Sequence, residues 1–378
     1  MKKILVVFGT RPEVVKLAPV VFALRERPQD CRPILCSTGQ HREMLDTALA
    51  AFELKADLDL NLMQPGQHPC DLLGRLLIEL RKVLEEIKPD VVVVQGDTAT
   101  VTAGALAGFL CDCRVAHVEA GLRTRDKRAP FPEEVNRRVT GVVADYHFVP
   151  TIRARDNLLS EGATSDSIHL TGNTVIDALY WMRDRVKDRP APPELDPHGR
   201  RLILVTAHRR ESFGGPFRDL CEALREIVEK HDDVQLVYPV HLNPSVQKPV
   251  RQILDDCPRV RLIEPLPYPD LVVGLAHSHL VLTDSGGIQE EAPALGKPTL
   301  VLREKTERRE AVAAGTVKLV GTARERIVAE TSRLLTDTVA YDAMARPMNV
   351  YGDGLAARRI ADVLLTGEMA DGPFTADA

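Results

Sequence analysis

Residues 281–298 read VLTDSGGIQEEAPALGKP. An apolar run ends at Thr-Asp-Ser, two glycines stand at the junction, and a pair of carboxylates follows at the start of a helical pattern. This is a strand running into a helix. Glycine costs roughly 1 kcal/mol relative to alanine inside a helix, and a parallel sheet needs no glycine at this turn for stability. Gly286 and Gly287 therefore mark a backbone that something must approach closely. Bare amides at a helix N-terminus attract an anion through the macrodipole, and Ser285 reads as the N-cap. Glu291, four residues after Gly287, shares that face. A carboxylate there repels phosphate and suits sugar hydroxyls, so the stretch reads as a site for a nucleoside diphosphate and its ribose. The alternative is a tight strand–helix turn with Glu291 solvated. Neither G-x-G-x-x-G nor G-x-x-x-x-G-K-[ST] occurs, so the dinucleotide and NTPase fingerprints are missing.

The same strand–turn–helix style recurs along the chain. KILVVF, RPILC, DVVVVQ, RVAHV and YHFV are strand candidates in the first half, and RLILVT, VQLVYPV, VRLIE, HLVLT and PTLVL in the second. Continuous apolar strands separated by helical patterns predict parallel sheets buried on both faces, with right-handed crossovers. A proline-rich, charged segment, VKDRPAPPELDPHGRR, marks a loop or linker near 186–200. The expected fold is α/β, with two Rossmann-like doubly wound domains facing across a cleft. The N-terminal domain spans 1–172 and is rejoined by a C-terminal helix within 355–378; the second domain spans 173–354. That last helix places Leu355, Ile360, Val363 and Leu364 on its apolar face, and the tail after it is expected to fray. Pro19 predicts a first helix that is kinked or starts late.

Composition narrows the function. The chain has 378 residues, 44% apolar and 27% charged, with net charge −5 and 4% aromatics. That balance argues against nucleic-acid surfaces and stacking platforms. Seven cysteines without framework spacing fit reduced thiols in a cytoplasm. Cys111-x-Cys113 has no second pair nearby and reads as core or strand edge rather than zinc ligand. The start, MKKILVVFGTRPE, is too short an apolar run for a signal peptide, and no run approaches a membrane span.

In doubly wound sheets, ligands bind beyond the carboxyl ends of the strands. There the sequence places GTRPE with Arg11, GDT with Asp97, EAGLR with Glu119 and Arg123, AHRRES with His208, Arg209 and Arg210, and DSGG. Asp97, Glu119 and Glu133 are candidate acid/base groups. Asp97 could instead cap the following helix, and Glu133 and Glu134 sit where any helix N-terminus welcomes negative charge. Glu119, at the end of an apolar strand, is harder to dismiss. His208 and its arginines could bind diphosphate or donate a proton, or form a solvated basic loop. Arg308 and Arg309 in isolation read as a solvated charged loop.

Together these motifs resemble the bacterial non-hydrolysing UDP-N-acetylglucosamine 2-epimerases. The likeness covers nearly the whole chain, through GQHREML, DLNLMQPGQ, KPDVVVVQGDT, HVEAGLRT, FPEEVNRR, TGNTVIDAL, HRRESFG, YPVHLNP, the 281–298 stretch and ERREAVAAGT, in that order. The sequence departs from the family pattern at Leu266 and Leu271, where some relatives carry glutamine and phenylalanine near the uracil, and at Ala99, where threonine is common. The resemblance implies a fold like the GT-B glycosyltransferases, with UDP held mainly by the second domain. Ser285, Gly286 and Gly287 would hold phosphate, Glu291 the ribose, and Arg308 the diphosphate, while Arg11 and Lys16 face the nucleotide sugar. Asp97, Glu119, Glu133 and His208 match catalytic positions. The implied reaction inverts C2 by eliminating UDP to 2-acetamidoglucal and adding it back, without cofactor or metal. Bacterial members also bind a second UDP-N-acetylglucosamine as activator, and Gln40, Glu43, Glu134, Arg209 and His241 lie in motifs matching that region. A homodimer is the family expectation, with no nucleic-acid partner and no membrane insertion. Competing readings are a hydrolysing relative, an epimerase of a UDP-diacetamido sugar, a glycosyltransferase and a nucleotide-sugar sensor.

Overall fold

The computed structural model of the chain describes residues 1–39, 42–64, 66–209 and 212–376, leaving aside the side chains of 42–44. It divides into two compact units, Met1–Tyr180 with Tyr351–Ala376, and Trp181–Val350. The division falls inside the helix Thr174–Val186, not in the proline-rich segment. That segment is packed rather than a free linker. Leu195 is fully buried, and Arg261 donates to the carbonyls of Pro193 (2.8 Å) and Asp196 (2.9 Å).

The first unit is a parallel sheet of β1 (Lys2–Phe8), β2 (Cys31–Ser37), β3 (Leu58–Asp59), β4 (Val91–Gln95), β5 (Arg114–Val118), β6 (Tyr146–Val149) and β7 (Ile168–Leu170), in the order β3-β2-β1-β4-β5-β6-β7. The second holds β8 (Arg201–Thr206), β9 (Val234–Pro239), β10 (Val260–Ile263), β11 (Leu280–Thr283), β12 (Thr299–Val301) and β13 (Val317–Leu319), in the order β10-β9-β8-β11-β12-β13. Every strand named from the sequence forms. The three that escaped it, β3, β7 and β13, have two or three residues each, too short for an apolar run to register. Central strands are continuous apolar runs because helices cover both faces: Ile4, Leu5, Val6 and Val7 are at most 1% exposed.

In both sheets the strand order reverses direction once, between β1 and β4 and between β8 and β11. At such a switch point adjacent loops leave the sheet in opposite directions and open a crevice beyond the strand ends. GTRPE, GDT, AHRRES and DSGG follow the strands at these points, and EAGLR follows β5, the next strand along.

The first helix runs Arg11–Arg25 with Pro19 inside it, so it does not start late. A capping box between Thr10 and Glu13 fixes its beginning. The helix Ala356–Thr366 belongs to the first unit: Lys2 donates to Leu364 O (2.9 Å), Arg27 pairs with Asp362, and Asp177 accepts from the Ala357 amide (2.8 Å). Leu355 precedes that helix and is exposed, while Ile360, Val363 and Leu364 are buried. Up to residue 376 the tail is docked, not frayed. Phe374 is 3% exposed, its amide donates to Leu170 O (2.8 Å), and Arg359 binds Gly372 O (2.9 Å). One buried aromatic anchors a segment whose composition is otherwise polar. Among the described residues no helix is long and apolar enough to cross a membrane, and no cluster of His, Cys, Asp and Glu could hold a metal ion.

Candidate active site

In the first unit the site is built where β4 and β5 end. Gly96 (φ +88°) turns the chain out of β4, and Asp97 follows. Thr98, not Asp97, caps the next helix, accepting from the Val101 amide, so the Asp97 carboxylate has no capping role. Beside it, β5 is followed at once by Glu119, a non-glycine residue held at φ +60°. L residues avoid that region, and where they are held there the surroundings over-determine them.

The surroundings here are a polar cage. The Glu119 carboxylate is 3% exposed and pairs with Lys16; it also accepts from Gln95 (2.6 Å) and Asn173 (3.1 Å). Arg137 donates to the Glu119 carbonyl, and its Nη2 lies 2.6 Å from Asp97 and 3.9 Å from the Glu119 carboxylate. Asn136 binds the Asp97 carbonyl (2.9 Å). One helix, Glu133–Val143, thus fixes both acids, and it carries Glu133 one turn before Arg137 on the same face. Beneath lies His117, fully buried, with Nε2 2.8 Å from Gly96 O. Burial, then the charge of Arg137, holds its pKa well below the ordinary range, so it stays neutral.

Glu13 was not singled out from the sequence. Its carboxylate accepts from the amides of Gly9 (2.5 Å) and Thr10 (3.1 Å) and from the Thr98 hydroxyl (2.6 Å). It therefore ties the loop after β1, which carries Arg11, to the loop after β4, which carries Asp97. Burial raises its pKa to about 7 against these hydrogen bonds. The signal was present in GTRPE, where Thr10 and Glu13 have capping-box spacing. Arg137 and Asn173 carry no such local signal, because their partners lie on other elements.

Of the remaining first-unit candidates, Lys16 is in the cage and Arg11 opens the first helix, partly exposed. Glu134 is 4% exposed and accepts from the amides of Thr124 (2.9 Å) and Arg125 (3.1 Å), bracing that loop. Gln40 and the Glu43 side chain lie outside the described residues.

In the second unit the 281–298 stretch is the strand–turn–helix expected, with corrections. Ser285 is not the cap: Gly287 is the N-cap of the helix Ile288–Ala294, and no side chain caps it. Neither glycine is there for a positive φ. Both are there for room, and the chain's own side chains use it. A Cβ on Gly286 would lie 2.7 Å from Arg308 Cζ, and one on Gly287 would lie 3.4 Å from Glu291 Oε2. Glu291 is not solvated. It is 4% exposed and accepts from the Tyr268 hydroxyl (2.8 Å).

Arg308 is likewise no solvated loop residue. It is 7% exposed, paired with Glu290 (2.6 Å) and Glu307. Burial opposes ionisation of Glu307, but Arg308, then Arg303 and Arg209, outweigh it and bring its pKa to about 2. Arg308 and Arg303 thus both pair with one carboxylate beside the glycine turn. His208 follows β8, its ring stacked on His241 at 5.3 Å and 12°. Asp284, next to Ser285, accepts from the amides of His208 (2.6 Å) and Arg209 (2.7 Å). Arg210 lies outside the described residues.

The first unit therefore offers carboxylates held in place by fixed cations, the equipment of proton transfer. The second offers clustered cations over bare backbone, with a buried carboxylate one turn away, the equipment for a diphosphate and a hydroxyl-bearing group. The family model described as UDP-N-acetylglucosamine 2-epimerase matches residues 23–365. A UDP-N-acetylglucosamine 2-epimerase of Yersinia pestis is 53% identical over 370 residues, covering 96% of this chain and 98% of that protein. The structure of the Neisseria meningitidis UDP-GlcNAc 2-epimerase bound to UDP-GlcNAc superposes with a TM-score of 0.92 at 45% identity, covering 96% of this chain and 99% of that one. Staphylococcus aureus MnaA in complex with UDP gives 0.93 at 45% identity, covering 99% and 100%. Matched over nearly all of its length in sequence and in fold, the chain belongs to the UDP-N-acetylglucosamine 2-epimerase family.

Proposed function

We propose that the chain interconverts UDP-N-acetylglucosamine and UDP-N-acetylmannosamine without net loss of UDP, supplying N-acetylmannosamine units for cell-envelope polysaccharide. The observation that carries the reading is the Asp97–Arg137–Glu119 cluster, in a chain 53% identical to a UDP-N-acetylglucosamine 2-epimerase.

C2 of the sugar is weakly acidic, so its proton leaves only as the C1–O bond to UDP breaks. The electron pair of the C2–H bond becomes the C1–C2 double bond of 2-acetamidoglucal, and UDP leaves with the C1–O pair. Reprotonation at C2 from the other face and return of UDP to C1 complete the inversion. Asp97, Glu119 and Glu133 are assigned to the proton transfers. Arg308, Arg209 and His208 are assigned to the diphosphate, whose negative charge grows as it leaves, and Glu291 to the ribose hydroxyls. Arg11 is assigned to the nucleotide sugar, and Lys16 pairs with Glu119. The reading includes a homodimer in the cytoplasm, no cofactor, and activation by a second substrate molecule near Glu134, Arg209 and His241; a sigmoidal rate curve tests the last.

The deciding experiment is incubation with UDP-N-acetylglucosamine in D2O, followed by NMR. UDP-N-acetylmannosamine carrying deuterium at C2 is the expected product. Free N-acetylmannosamine with stoichiometric UDP would replace this reading by a hydrolysing one, and absence of turnover would overturn both.

A further inference from the structure

We propose that Asp284 is the positioning residue for His208: it holds the proton of the neutral imidazole on Nδ1 and leaves Nε2 for the substrate. The inference deepens the role given to His208 above and rests on that reading for its catalytic consequence, though not for its geometry.

Strands β8 and β11 pair in parallel, with Thr206 beside Thr283, so the residues that follow them meet at the switch point of the second sheet. Asp284 is 1% exposed. One carboxylate oxygen, Oδ2, accepts both the His208 and the Arg209 amides, at 2.6 and 2.7 Å. Its other oxygen, Oδ1, is buried and has no hydrogen-bond partner among the described residues. The polar atom it faces is His208 Nδ1, at 3.6 Å. A buried carboxylate oxygen without a donor is costly, and a small rotation of the His208 ring supplies one. Ligand-free sites commonly show such a contact long, and it tightens when the site is filled.

Two further features confine the ring. Its backbone is already fastened by the same carboxylate, so the aspartate fixes both main chain and side chain. Its face is stacked on His241. The Nδ1 atom of His241 accepts from the Asn243 amide (3.0 Å), so His241 carries its own proton on Nε2. The two stacked rings are thus set in opposite tautomers by different partners. A ring nitrogen's proton is placed by the hydrogen bond made at the other nitrogen's side. With Nδ1–H committed to Asp284, Nε2 of His208 is a lone-pair acceptor when the ring is neutral and a donor to phosphate oxygen when it is charged. An unconstrained histidine prefers the other tautomer, so the assignment makes a definite claim.

The test is a long-range 1H–15N spectrum of the full-length protein at alkaline pH, with the His208 signal identified by its loss in His208→Gln. Nδ1–H as the major neutral form is the expected result; Nε2–H overturns the proposal. Asp284→Asn keeps an oxygen for the two amides and turns the other atom into a donor facing Nδ1. In a folded variant the tautomer should switch to Nε2–H. The kcat should fall at least ~10²-fold, with KM within about twofold. An unchanged tautomer or an unchanged kcat overturns the proposal. Where the variant unfolds, the wild-type spectrum decides alone. The tautomer is read without turnover, so absence of epimerase activity would overturn the functional reading while leaving this assignment to stand or fall on its spectrum.

Discussion

The guanidinium of Arg308 occupies the space a side chain on Gly286 would need: a Cβ there would meet Cζ at 2.7 Å and Nη1 at 2.8 Å. Gly286→Ala should therefore displace Arg308 from its pairing with Glu290 and Glu307 and raise KM for UDP-N-acetylglucosamine about tenfold or more, a loss of roughly 1.4 kcal/mol. Arg308→Ala should do the same. Because both act through one guanidinium, the double variant should be little worse than either single one. Additive losses in steady-state kinetics would show that the two residues act separately.

Lys16 and Glu119 form a buried pair, with side chains 9% and 3% exposed. Removing one partner of such a pair leaves an uncompensated charge, at a cost of ~3–5 kcal/mol. Lys16→Met should lower the urea midpoint by a corresponding amount. Glu119→Gln, which keeps the shape, should fold well and lose activity. A Lys16→Met variant of wild-type stability would mean that Gln95, Asn173 and Arg137 suffice to hold the carboxylate.

Asp177 accepts the Ala357 amide from the last helix, and its other oxygen, Oδ2, is buried without a hydrogen-bond partner among the described residues. Burial raises its pKa from 3.8 to about 7 against that hydrogen bond. The folded protein thus keeps a proton that the unfolded chain has released. Its stabilising contribution is full below the unfolded pKa and is lost as pH rises toward 7, with a slope of up to ~1.4 kcal/mol per pH unit. Glu13 has the same sign in the same window. Urea unfolding between pH 5 and pH 8 should show stability falling, and Asp177→Asn should remove one group's share of that slope. An unaltered slope would place the proton elsewhere.

The tail is a structural element. Phe374 is 3% exposed, and a Cβ on Gly172 (φ +84°) would lie 3.3 Å from its Cγ. Phe374→Ala should cost ~3 kcal/mol, as large-to-small changes in packed sites do, and lower Tm without altering KM. Unchanged Tm would show that the docked tail adds nothing to stability.

The sequence by itself determined the α/β class, the long strands and the catalytic candidates. Each of those is written in local order: continuous apolar runs for buried parallel strands, and small or charged residues where the runs stop. Tertiary structure decided everything that depends on which strand lies beside which. The order β3-β2-β1-β4 brings Glu13 to Thr98, and β8 beside β11 brings Asp284 to His208. Likewise, Arg137 gains its meaning only when its helix lies over the ends of β4 and β5. The glycines at 286 and 287 show the division most plainly. Their presence demanded a close approach, but only the packed chain shows that Arg308 and Glu291 make it. Hydrogen-bond partners and burial are relations between segments far apart in sequence, and no periodicity or spacing within one segment encodes them.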